Sequence, residues 1–113
     1  MRIVVIVTLL AIAIGGVAIA VQQEYPNFSS ITVLDNKRVV VQRVKAEGGK
    51  WAGEHTHPGN QLAVFLNAVT MTYKEDGKES EKEYTAGQVI WINKVTHDHK
   101  TDVDQSAIII TLK

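Results

Sequence analysis

From residue 31 to residue 112 the chain is a succession of short β-branched and aromatic runs broken by turn residues. No window shows the i, i+3, i+4, i+7 recurrence of an amphipathic helix. The runs fall at 31–34, 38–44, 50–57, 61–66, 69–74, 79–85, 88–93, 96–101 and 107–112. Roughly nine strands at 8–12-residue spacing predict an all-β sandwich or barrel. Asp76-Gly77 lies between two of the runs and is a strong hairpin signal. Thr70, Thr72 and Lys74 alternate with Met71 and Tyr73, which predicts one wet face. Ile108-Ile109-Ile110 is continuous and predicts burial on both faces. Lys78 to Glu83 reads as a solvated hairpin edge.

The first 20 residues differ in kind. Sixteen of them are apolar and Arg2 is their only charge. One positive charge, a long apolar run and then Ala18-Ile19-Ala20 predict a signal peptide over 1–20, cleaved before Val21. An uncleaved membrane anchor is the competing reading, since about 20 apolar residues can span a bilayer. Both place the folded part outside the cytoplasm, secreted or periplasmic. Residues 21–30 then read as an N-terminal extension and 31–113 as one β-barrel domain. Lys plus Arg and Asp plus Glu are 12 each, so no basic excess exists to neutralise phosphates and nucleic acid is disfavoured as a partner. The chain has no cysteine, which excludes disulfides, thiolate metal sites and cysteine nucleophiles.

The informative polar residues are four histidines in two i, i+2 pairs: His55 with His57, and His97 with His99. On a strand such a pair points to one side, about 6.5–7 Å apart at the backbone. His55 and His57 can therefore converge on one metal. Pro58-Gly59-Asn60 turns the chain, and Gln61 can return a side-chain oxygen to the same place. A closed antiparallel sheet would bring His97 back to it. Trp51 falls on the His55 and His57 face as a candidate pocket wall or core side chain, and Trp91 reads as core. Glu54 should point away from the barrel by strand alternation.

The stretch from Gly49 through His55-Thr56-His57-Pro58-Gly59-Asn60-Gln61 to Leu66 resembles the first motif of the cupins, G-x5-H-x-H-x3-4-E-x6-G. The stretch from Gly87 to Thr101 resembles the second, G-x5-P-x-G-x2-H-x3-N. The resemblance is to the small single-domain cupins (cupin type-2, RmlC-like) and covers about 38–113. It implies a jelly-roll barrel of short antiparallel strands with a metal in its mouth. Carried over, the ligands are His55, His57, Gln61 and His97. The chain departs from the pattern at Gln61, where the motif has glutamate, and at Ala68, where it has its last glycine. Asn93 and Val95 replace the second motif's proline and glycine, and Thr101 its asparagine. Literal spacing from Gly87 puts Asp98 at the ligand position; a loop one residue shorter puts His97 there, and one residue longer puts His99 there. With His97 as ligand, His99 stands just behind the site.

Three imidazoles and an amide leave a divalent ion its full charge, which would attract an anionic molecule. Such a set suits iron, manganese, nickel, copper or zinc without choosing among them. The resemblance implies a metal-dependent dioxygenase, isomerase or decarboxylase, and a non-catalytic small-molecule-binding or interaction domain is the alternative. A homodimer paired through sheet edges is the partner that family analogy suggests.

Overall fold

The computed structural model describes residues 22–25 and 27–113. The signal segment read over 1–20, and its cleavage before Val21, lie outside the described residues. Ten strands follow in order: β1 (Gln22–Tyr25), β2 (Phe28–Asp35), β3 (Val39–Ala46), β4 (His55–His57), β5 (Gln61–Phe65), β6 (Val69–Glu75), β7 (Lys78–Tyr84), β8 (Val89–Ile92), β9 (Val95–Thr101) and β10 (Gln105–Leu112). They form a six-stranded sheet in the order β1-β2-β3-β10-β5-β8 and a four-stranded sheet in the order β4-β9-β6-β7. All pairings are antiparallel.

Each strand predicted from the sequence is present, with three differences. The sheet begins earlier than Ile31, because Gln22–Tyr25 pairs with a β2 that starts at Phe28. The run at 50–57 shortens to the three residues of β4, with Trp51 held only by an isolated bridge to Lys100. Gly53 breaks the extended period between them at φ 110°. Third, Ile108, Ile109 and Ile110 are each half-buried rather than sealed on both faces, because only the Ile109 side of β10 looks into the barrel.

The two sheets close on a core of Ala63, Phe65, Val69, Met71 and Tyr84, with Tyr73, Ile90, Ile92 and Ile109 against it. Alternation puts Gln61, Ala63 and Phe65 inside from β5, and Met71 and Tyr73 from β6. Phe65 and Tyr84 stack with centroids 4.1 Å apart. The β6–β7 hairpin turns at Asp76 and Gly77 with φ of 53° and 75°, the two positive values that a type I′ turn needs. Strand β7 is exposed along its length except for Tyr84, as its charges predict.

Candidate metal centre

β4 is an edge strand, and among the described residues its partner is β9. Their register sets His55 opposite His97 and His57 opposite Val95, so three imidazoles meet where the strands cross into the barrel. Ring centroids are 5.0 Å apart for His55 and His57, 4.8 Å for His55 and His97, and 5.1 Å for His57 and His97. One ligand nitrogen from each of the three lies within 4.8 Å of the others. Tetrahedral nitrogens on one ion stand about 3.4 Å apart, so the rings would close by up to about 1.4 Å to share one.

The hydrogen bonds fix which nitrogens face inward. His55 Nδ1–H donates to the Gly53 carbonyl at 2.6 Å. His57 Nδ1–H donates to Gln61 Oε1 at 2.8 Å, and Gln61 Nε2 donates to Thr111 Oγ1 at 2.9 Å. A ring that donates through Nδ1 keeps its lone pair on Nε2, the tautomer that suits metal ligation. The sequence reading puts Gln61 among the ligands; here both ends of its amide are taken by protein groups and it stands behind His57. His97 Nε2 is buried and has no hydrogen-bond partner, and the same holds for His99 Nε2. An orphaned buried nitrogen costs about 1–3 kcal/mol, a cost that coordination or a bound molecule removes.

Burial disfavours the charged form of His57, His97 and His99. Desolvation, then the neighbouring His55 and His57, lower the His97 pKa from 6.5 to about 4. Desolvation, then His55, His97 and His57, lower that of His99 to about 3. Desolvation also lowers that of His57, against the opposing bond to Gln61. Neutral imidazole is the ligating form, so this donor set fits a transition ion.

His99 shares the inner face of β9 with His97, its ring 5.1 Å from His55 and 6.0 Å from His97. Asp98 points the other way, accepting from the Gly53 and His99 amides at 2.8 Å each. Trp51 is no pocket wall. Its ring lies under Lys74 Nζ at 4.2 Å and Lys100 Nζ at 4.9 Å, because positive φ at Gly53 resets the strand parity. Trp91 is not core either; it is 48% exposed on the outward side of β8.

Two side chains near the centre, Phe28 and Tyr73, had no signal in the motifs. Phe28 stacks on His55 at 6.0 Å and meets His99 edge-on at 5.6 Å. Tyr73 lies 5.2 Å from His97, its hydroxyl 2.8 Å from that of Tyr84. Burial, with that hydrogen bond, pushes the Tyr73 pKa far above 10 and keeps it protonated. The Met71 and Tyr73 alternation marked the inner face, but only the β6–β9 register, which sets Tyr73 opposite His99, brings the tyrosine to the histidines.

No protein-family model matches the chain. Nor does any curated protein match it. Solved structures do. A cupin domain from Bordetella pertussis superposes with a TM-score of 0.70 at 19% identity, over 80% of this chain and 98% of that one. A cupin-2 domain protein from Shewanella frigidimarina gives 0.56 at 18% identity, over 80% and 83%. FeII HppE gives 0.62 at 14% identity, over 84% of this chain and 60% of that one, and CoII HppE in complex with its substrate gives 0.60.

Proposed function

We propose, for a chain whose fold is that of the cupin domains, that it is a secreted or periplasmic metal-binding protein that takes a small organic molecule into its barrel. His55, His57 and His97 would hold a divalent transition ion, with Gln61 orienting His57 and the Gly53 carbonyl orienting His55. The observation that carries this reading is the convergence of three imidazoles within 4.8 Å, two of them with Nδ1 already committed to protein acceptors. Such an ion, bound by neutral nitrogens, supplies a Lewis-acid centre with its 2+ charge undiminished. The FeII and CoII forms of HppE support a transition metal as the occupant. The apolar stretch that ends at Ala18-Ile19-Ala20 supports export.

Titration with cobalt(II), followed by visible absorption, tests the centre. Wild type should saturate at about one ion per chain. His57→Ala should lose the spectrum while keeping its fold, and an unchanged spectrum in that variant would remove the assignment.

A further inference from the structure

The barrel is hollow. A cavity of about 440 Å³ lies between the two sheets. Ile90, Ile92, Ile109 and Tyr73 point inward yet stay only half-buried, because they line that space and not a packed partner. Ala63 and Ala107 leave the room for it, being small side chains on adjacent inner strands, 3% and 1% exposed. The cavity runs from the histidines along walls that include Phe65, Met71 and Tyr84.

Its polarity is strongly uneven. The charged side chains lining it are Glu75, Lys82 and Lys94, all exposed, so they stand at the mouth. The inner polar groups are the histidines, Gln105 and the Tyr73–Tyr84 hydroxyl pair. Two hydroxyls that share one hydrogen bond keep one proton over, so the pair can give a single donor to a guest. A guest with many hydroxyls would leave most of them unpaired against apolar walls. A second carboxylate placed along the barrel, away from the ion, would meet no fixed cation and lie against apolar walls.

Resting on the metal centre described above, we propose that the ligand is an apolar monocarboxylate. Its aryl or branched-alkyl body fills the barrel and its single carboxylate turns toward the histidine end. The volume admits on the order of ten to fifteen non-hydrogen atoms. Zinc-loaded protein should bind 3-phenylpropanoate at least about tenfold tighter than malonate or glucose, read by calorimetry. Ala63→Leu should weaken 3-phenylpropanoate by at least about tenfold while zinc stoichiometry stays at wild-type level. Ile92→Asn, at a half-buried wall position, serves the same purpose if the first variant does not fold. Loss of zinc binding itself would be the failure of the metal reading. Intact zinc binding with malonate or glucose preferred, or with neither wall variant affecting the aryl acid, would overturn this one.

Discussion

Gln61 is where the chain's departure from the cupin pattern becomes physical chemistry. Its oxygen receives the His57 Nδ1–H and its nitrogen is tied to Thr111, so it fixes both the tautomer and the rotation of one ligand. Gln61→Leu removes that acceptor and should weaken metal binding by about 10–100-fold, less than loss of His57 itself. Gln61→Glu keeps an acceptor and adds a negative charge a few Å from the ion, so it should tighten manganese or iron(II) binding and weaken anionic ligands. Divalent-metal titrations of the two variants read both effects; equal affinities in wild type and Gln61→Leu would remove the positioning role. The buried imidazoles also set an acid limit on the metal-free protein. His97 and His99 take up protons at about 4 and about 3 when folded but at 6.5 when unfolded. Between those values the unfolded chain binds more protons, so stability is lost as pH falls from about 6.5 toward 4. Each histidine contributes a slope of up to about 1.4 kcal/mol per pH unit. Urea midpoints across that range should fall steeply in wild type and less in His99→Phe.

At the scale of elements, local chemistry made the strands legible and pairing made them into a site. The type I′ hairpin was readable from Asp76-Gly77, since few other dipeptides tolerate two positive φ values in succession. Gly77→Val should therefore cost about 1–2 kcal/mol of stability by chemical denaturation and leave metal affinity unchanged. Strand alternation put His55 with His57 and His97 with His99 on common faces, as the structure has them. Alternation failed at Trp51, because Gly53 interrupts the extended backbone and parity does not carry across it. The readings of Trp91 as core and of Ile108 as buried on both faces also failed. Apolar strand residues look alike from sequence whether they face a core or an uncovered sheet surface, and only the strand order decides. Phe28 and Tyr73 reach the histidines through pairings that join residues distant in sequence, which no local pattern encodes.

The whole molecule is a pair of sheets that differ in their outer faces and share a hollow interior. The wet sheet carries the β4–β9 edge and with it the histidines. The apolar sheet carries Gln61 and most of the wall opposite. The ligands come from one sheet and the acceptor that orients His57 from the other, and an ion that binds the folded barrel better than the unfolded chain should stabilise it by mass action. A saturating ion at about 100 times its dissociation constant should raise stability by about 2.7 kcal/mol, readable as a shift in the urea midpoint. The most direct test of the account is elemental analysis of the protein purified without a histidine tag, beside its His57→Ala variant. The account predicts close to one transition ion per chain in the first and almost none in a still-folded second. Equal metal content in the two, or none in either after exposure to iron, cobalt, nickel, copper, manganese and zinc, would contradict it.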